Sequence, residues 1–244
     1  MKADKIFIPT VSGFKRELRK FASKERAKVS MRFFKTGKGE YSEGNKFIGL
    51  TVPKLREVAL KYKNLGLVDL EKLLKSPTHE DRYAVLEILV ARYEESNESD
   101  RAKIAKLYLR NTKFINNWDL VDTSAEYIIG HYSEKAGFRM LEKLARSKNL
   151  WEKRIAIVST FYFIKKNTFW PTLKITEILM GDSHDLIHKA CGWMLREVGK
   201  KNLNIEKKFL ETHLKKMPRT MLRYAIERFP EAERKRFLQS RHLA

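Results

Sequence analysis

The segment at 116–122, which reads NNWDLVD, brings together an indole ring and two carboxylates. Trp118 and Asp122 are four residues apart, so in a helix they lie on the same face. A carboxylate stabilises positive charge that develops during a reaction, and the face of an indole ring also attracts a cation. If this face is buried, the charge of Asp122 is costly unless it serves the function. Asp119, by contrast, is interpreted as an exposed first-turn acid that the helix dipole favours.

The charge of the chain indicates the kind of partner. It has 51 Lys and Arg residues against 30 Asp and Glu residues, which gives a formal net charge of +21. This excess favours a polyanion, with nucleic acid ahead of a membrane surface, because no apolar stretch approaches the ~18 residues that a bilayer span needs. A lone cysteine, Cys191, excludes an internal disulfide, and the N-terminal apolar patch is too short for a secretory signal. We therefore expect a cytoplasmic protein.

Helical patterns cover almost the whole chain, and no sustained alternation of polar and apolar residues indicates a β-strand. Start signals such as SPTHED and SNESD support several helices. The glycine-containing segment at 37–47 is interpreted as a loop, and it is not a phosphate-binding P-loop because no GK[ST] ends it. Helices are predicted at 12–35, 52–63, 67–75, 79–95, 98–111, 117–133, 135–147, 150–167, 171–180, 184–201, 204–216, 218–228 and 230–240.

Similar hexapeptides indicate an internal repeat: RYAVLE at 82–87, RIAIVS at 154–159, KACGWM at 189–194 and RYAIER at 223–228. This spacing requires another member near 118, where WDLVDT stands. Five units of about 35 residues predict an all-α, HEAT-like solenoid of helical hairpins with a concave basic groove. We interpret 1–244 as a single α-solenoid domain, with an N-terminal helix and a glycine-rich loop at 1–50 and the repeats at 51–240.

Corresponding positions of these units form a row of candidate site residues. The first positions are Arg82, Trp118, Arg154, Lys189 and Arg223, and Asp122 and Trp193 follow four residues after Trp118 and Lys189. On successive inner helices these side chains would line one wall, where the four basic residues are predicted to bind nucleic acid. In the alternative interpretation this row is simply core, with arginine heads extending outward to solvent.

Three motifs in order, NWDLVD, LWEKRIAIVS and KACGWMLREVGKK, resemble the AlkD-like DNA alkylation repair glycosylases, which are built from HEAT-like repeats. The resemblance covers about 47–230. It implies base excision repair, in which the N-glycosidic bond of N3- and N7-alkylated purines in double-stranded DNA is hydrolysed. By the same resemblance Asp122 is the catalytic aspartate, Trp118 and Trp193 are the aromatic pair that cradles the damaged nucleotide, and Arg154 contacts DNA.

The implied chemistry suits these residue types. An N3- or N7-alkylated purine is positively charged and is already a good leaving group, so the enzyme needs little acid catalysis and no cofactor. A carboxylate close to the sugar stabilises its developing oxocarbenium character, as in glycoside hydrolysis. We expect a monomer associated with the nucleoid, without metal or membrane. The chain departs from better-known members in one respect: where they carry a tyrosine on an early helix, it has Phe33 and Phe34.

Other interpretations stay open at this point. A HEAT-like solenoid that binds DNA of unusual structure without catalysis would also be basic, and such repeats commonly serve as protein-interaction scaffolds. The spacing of His184, His188 and Cys191 makes zinc conceivable. The sequence there is not HExxH and no further ligand is evident, so a metal site is not favoured.

Overall fold

The computed structural model describes residues 7–240, and within that range the chain is helical with no β-strand. The pairing nearest to a sheet is an isolated parallel bridge between Lys46 and Thr78. The prediction of an all-α helical repeat fold is therefore confirmed. The chain divides into two compact units, one ending at Ser124 and the other beginning at Ala125. The HEAT-like hairpin geometry, the concave groove and the single-domain organisation stay predictions.

The first unit is organised around α5. Tyr83 to Leu86 are buried, as are Ile88 and Leu89, so α5 is covered on nearly every side, as expected of a central helix. Helices α3 and α4 pack against it. The helices of this unit are α1 Val11–Arg19, α2 Lys24–Phe33, α3 Val52–Lys61, α4 Leu67–Leu74, α5 His79–Glu95, α6 Glu98–Arg110 and α7 Trp118–Asp122.

The predicted helix at 12–35 is in fact two helices, because the chain turns between α1 and α2. Ser23 adopts an extended conformation, and its side chain accepts a hydrogen bond from the backbone N–H of Arg26, which caps α2. The backbone N–H of Ser23 donates to the carbonyl of Ile48 at 2.9 Å. This contact between distant segments stabilises the break, so periodicity alone could not locate it.

The segment that follows the loop at 37–47 is held by hydrogen bonds to the start of α5. The side chain of Glu80 accepts hydrogen bonds from the backbone N–H groups of Ile48 at 3.0 Å and Gly49 at 2.7 Å. Gly49 has φ of +79°, and a Cβ there would lie 2.2 Å from the carbonyl oxygen of Ser23, so only glycine fits. Four consecutive polar residues at the start of α5 are buried: His79, Glu80, Asp81 and Arg82.

The second unit is organised around α13, which packs against α10, α12, α14 and α15. The prediction of one continuous helix at 117–133 was wrong: α7 ends at Asp122, and a π-helical segment follows at Glu126–Gly130. The helices of this unit are α8 His131–Ala136, α9 Arg139–Ala145, α10 Leu150–Ser159, α11 Phe161–Lys165, α12 Trp170–Leu179, α13 Asp185–Lys201, α14 Leu203–His213, α15 Arg219–Ala225 and α16 Glu231–Ser240. Across 7–240, no helix has both the length and the apolar character needed to span a bilayer.

Candidate functional site

Asn117 positions the short helix α7 that carries Trp118 and Asp122. Its side chain is fully buried, and Oδ1 accepts a hydrogen bond from the backbone N–H of Trp118 at 2.8 Å. Its Nδ2 donates to the hydroxyl of Ser42 at 2.9 Å, which joins the start of α7 to the loop at 37–47. Asn45 donates to the same hydroxyl. A helix of five residues has little stability of its own, so these contacts hold its first turn in place.

The ring of Trp118 is half-buried against aromatic residues from the end of α2. Its centroid lies 5.8 Å from that of Phe33 and 5.3 Å from that of Phe34. Phe33 is 62% exposed, so this ring extends the aromatic surface of Trp118 toward solvent. Phe33 and Phe34 therefore lie beside the indole, a position that no spacing along the chain indicates.

Phe34 belongs to a stack of three rings. Phe34 stacks on Phe47 with centroids 5.1 Å apart, and Phe47 stacks on His79 at 4.5 Å. His79 in turn lies with its Nε2 2.7 Å from Asp119 Oδ2. The prediction that Asp119 is an exposed acid was wrong, since its side chain is only 15% exposed and is paired with a buried histidine. We name Phe34, Phe47 and His79 the aromatic column.

Asp122 is half-buried at the last position of α7. The neighbouring Tyr108 hydroxyl is buried and lies 3.0 Å from the hydroxyl of Ser124. Burial raises the pKa of Tyr108 far above its usual range, and the negative charge of Asp122 raises it further. Asp122 therefore lies close enough to this buried hydroxyl for its charge to act on it.

A second polar network follows directly after Asp122. Thr123 donates a hydrogen bond to Glu87 Oε1 at 2.9 Å, and Arg56 Nε donates to the same oxygen at 3.1 Å. Since Glu87 belongs to α5 and Arg56 to α3, this network holds the end of α7 against the central helices of the first unit. Both ends of the short helix are thus fixed by side-chain hydrogen bonds.

In the second unit, Arg154 is 5% exposed and lies on α10. Its Nη1 donates a hydrogen bond to the carbonyl of Leu186 at 2.8 Å, which ties α10 to the first turn of α13. One of the five N–H groups of this guanidinium thus has a structural partner within the unit. The implied contact between Arg154 and DNA stays a prediction.

Trp193 is half-buried in the middle of α13. Its Nε1 donates to Glu197 Oε1 at 3.2 Å, one helical turn further on, and Phe161 lies edge-on with centroids 6.1 Å apart. Glu197 also accepts from Lys200 at 2.7 Å, so the acceptor that orients the indole is itself held in place. The indole therefore has a defined orientation within the second unit.

The remaining basic residues of the predicted row differ in exposure. Arg82 is 4% exposed and donates a hydrogen bond to Asn45 Oδ1. Burial lowers its pKa to about 10, although the negative charges of Asp119 and Asp81 oppose that shift. The predicted contact between Arg82 and DNA, like that of Arg154, stays a prediction. Lys189 is half-buried and Arg223 is exposed, and they line one cleft of the second unit.

The residues considered for zinc have other roles. His184 caps α13 by accepting a hydrogen bond at Nδ1 from the backbone N–H of Leu186. Cys191 is fully buried, and burial raises the pKa of its thiol far above the usual range, which disfavours the thiolate that binds a metal. Among residues 7–240, no group of three or more His, Cys, Asp or Glu side chains is arranged to hold a metal ion.

Comparisons with known proteins identify the family. A family model described as "DNA alkylation repair enzyme" matches residues 14–229, whereas no curated protein matches the chain. Among solved structures, one described as "Predicted DNA alkylation repair enzyme from Enterococcus faecalis" is similar, with a TM-score of 0.67 and 14% identity over 86% of this chain and 97% of that chain. At that identity the likeness shows the shared fold alone. Because the family model spans most of the sequence, the chain belongs to the family of DNA alkylation repair enzymes.

Proposed function

We propose that this protein is a monofunctional DNA glycosylase that hydrolyses the N-glycosidic bond of N3- and N7-alkylated purines in double-stranded DNA. The observation that carries the proposal is the half-buried pair of Trp118 and Asp122 on a short helix that is fixed at both ends. The net charge of +21 suits a DNA substrate.

Asp122 would stabilise the transition state by its charge. As the bond between C1′ and the purine nitrogen breaks, its electron pair moves to the base and cancels the positive charge of the lesion. The sugar becomes cationic, and a carboxylate nearby lowers the energy of that state. Asp122 would also accept a hydrogen bond from the water whose oxygen attacks C1′ and would take up the released proton. A cationic leaving group needs no separate general acid.

Trp118 and Trp193 would hold the sugar of the damaged nucleotide through their ring faces and attract the developing cation. The partly exposed ring of Phe33 widens the aromatic surface beside Trp118. Arg154 would bind a phosphate next to the lesion, a contact that fixes register without reading sequence. The family resemblance, rather than a distance between these side chains, assigns the two tryptophans and Arg154 to the same reaction as Asp122. One copy of the chain supplies every residue named, and no cofactor is required.

Release of 7-methylguanine from alkylated duplex DNA tests the proposal. Wild-type protein is expected to release the free base, and Asp122→Asn is expected to lower the single-turnover rate by at least about 100-fold, since one electrostatic stabiliser typically supplies that much. Asp69→Asn is a matched control, because Asp69 lies in the same unit and its side chain is 42% exposed.

Two outcomes would overturn the proposal. If wild-type protein binds the duplex but releases no base, the protein is a DNA-binding member without this activity. If it binds no DNA at low salt, it is better described as a protein-interaction scaffold. An Asp122→Asn variant that folds and retains the wild-type rate would instead remove Asp122 from the chemistry.

A further inference from the structure

A charged cleft of about 510 Å³ lies within the second unit, among α13, α15 and α16. Its lining combines basic, acidic and aromatic side chains. They are Asp185, Lys189, Thr220, Arg223, Tyr224, Glu227 and Arg234.

Gly192 brings two walls of this cleft together. A Cβ at that position would lie 2.4 Å from the carbonyl oxygen of Met221 and 2.5 Å from Cβ of Tyr224. The backbone of α15 can therefore approach α13 only because residue 192 has no side chain. This close approach sets Arg223 and Tyr224 beside Lys189, one helical turn before Gly192.

The carboxylates of the cleft already have cationic partners. Asp185 accepts from Lys189 at 2.7 Å. Glu227 is paired with Arg196, a residue of α13 that does not line the cleft. The acidic residues thus neutralise Lys189 and Arg196 rather than the two arginines that line the cleft.

Arg223 and Arg234 are exposed, and no carboxylate of residues 7–240 lies within 4.0 Å of either guanidinium. Tyr224, which is 37% exposed, presents part of its ring in the same cleft. Two guanidinium groups beside an aromatic ring match a nucleotide unit, because phosphate oxygens bind guanidinium groups and a sugar or base packs against the ring.

We propose that this cleft binds one backbone phosphate of the DNA strand, held by Arg223 and Arg234, with the adjoining sugar or base against Tyr224. Guanidinium groups bind phosphate oxygens in bidentate geometry, which favours phosphate over a diffuse negative charge. The contact would position the duplex without reading its sequence. It rests on the proposed function only in that DNA is the partner, and base release is not required.

The salt dependence of DNA binding tests the site. An undamaged duplex is titrated with wild type, with the Arg223→Gln/Arg234→Gln double variant and with Arg236→Gln. Log affinity falls linearly with log salt concentration, and each lost phosphate contact makes this slope shallower by about 0.9. We expect the slope of the double variant to be shallower by that amount. Arg236→Gln is a control on the same helix as Arg234, since Arg236 lies outside the cleft and its side chain is 60% exposed.

Tyr224 provides an independent readout. Tyr224→Ala is expected to weaken DNA binding about 5- to 150-fold without changing the salt slope, because stacking contributes about 1–3 kcal/mol per base and no charge is lost. Tyr224→Phe keeps the ring and should bind as wild type. Circular dichroism and melting temperature establish that each variant is folded.

Three results would overturn the assignment. The first is an equal change of the salt slope in Arg236→Gln, which would indicate that the slope reflects the overall positive charge of the protein and not a contact in the cleft. The second is a double variant with the wild-type slope. The third is a double variant that loses binding of free dAMP yet binds the duplex as wild type, which would make the cleft a mononucleotide site.

The proposed function can fail separately. Base release by the wild-type protein is measured separately, under single-turnover conditions with DNA saturated by protein. If wild type releases no base while the salt slope still depends on Arg223 and Arg234, the glycosylase proposal fails and the phosphate site stands.

Discussion

His79 donates a hydrogen bond from Nε2 to Asp119 Oδ2, 2.7 Å away, and this bond joins the first turn of α5 to the first turn of α7. An ionised carboxylate only accepts, so Nε2 carries the proton. The histidine is 3% exposed and belongs to the aromatic column, whose Phe34 contacts Trp118. The indole beside Asp122 is therefore supported by a buried polar pair as well as by ring contacts.

Asp119→Ala is expected to reduce the free energy of unfolding by about 1–3 kcal/mol, because the buried N–H of His79 loses its acceptor. Urea denaturation measures the change. Asp69→Ala is the control, since the side chain of Asp69 is 42% exposed and is paired with Lys72 of its own helix, and it should stay within about 0.5 kcal/mol of wild type. An Asp119→Ala variant as stable as this control would mean that the histidine has found another partner.

Phe33→Leu and Phe34→Leu should separate stability from activity. Phe34 contacts Phe47, His79 and Trp118, so its replacement should cost about 1–3 kcal/mol through lost ring contacts. Phe33 is mostly exposed, so its replacement should change stability by less than about 1 kcal/mol.

Under the proposed function, Phe33→Leu should nevertheless slow base release, because it removes the phenyl ring that adjoins Trp118 on the solvent side. The two variants are compared by urea denaturation and by single-turnover release of 7-methylguanine. A Phe33→Leu variant that is strongly destabilised, or one that keeps full activity, would contradict this separation.

Glu206 should make stability depend on pH. Burial raises its pKa to about 8 from an ordinary value of 4.5, and the negative charge of Glu197 adds to the shift while Arg196 opposes it. Because the folded-state pKa is the higher one, the folded protein binds more protons between these two values. The stabilisation is fully present below pH 4.5 and is lost as pH rises to about 8.

Glu206→Gln imitates the protonated acid and should remove that dependence. The free energy of unfolding of the variant minus that of wild type should therefore rise with pH over this interval and level off above it. Chemical denaturation at several pH values measures the difference, and Glu211→Gln, an exposed acid of the same helix, is the control. A difference that does not vary with pH would indicate that Glu206 is ionised in the folded protein.

Gly192→Ala should destabilise the second unit by about 1–3 kcal/mol, because its methyl group would meet backbone and Cβ atoms of α15 rather than a flexible side chain. The variant should also lose the phosphate contact of the cleft, so the slope of log DNA affinity against log salt concentration should be shallower than in wild type. Gly181→Ala is the control, since a Cβ at Gly181 has no heavy atom within 4 Å. Equal stability of the two variants would show that α15 moves away at little cost.

Much of the helical architecture could be predicted from local signals. The starts of α6 and α7 are capped by Asn97 and Asn117, whose side chains accept hydrogen bonds from backbone N–H groups of the first turn. Asparagine is a common residue at this position. The family could be predicted too, because NWDLVD and KACGWM stand in order along one chain. These features depend on residue type and spacing alone.

Burial of polar groups could not be predicted in the same way. Periodicity placed Arg82 in the basic row, and the dipole argument placed Asp119 at an exposed first turn. Both are instead enclosed by segments distant in sequence, Arg82 by the loop that carries Asn45 and Asp119 by the start of α5. A helical position specifies which way a side chain points from its own axis, but not what covers it.

By itself, then, the sequence determined the helical class, the strong positive charge, the family and the pairing of Trp118 with Asp122 on one turn. The tertiary structure decided that this turn is a separate short helix, that Phe33 and Phe34 lie beside the indole, and that two arginines of the cleft have no acidic partner among residues 7–240. The physical reason is the separation along the chain of the residues involved. Helix formation and capping depend on neighbours within a few residues, whereas burial and charge compensation depend on contacts between segments that only folding brings together.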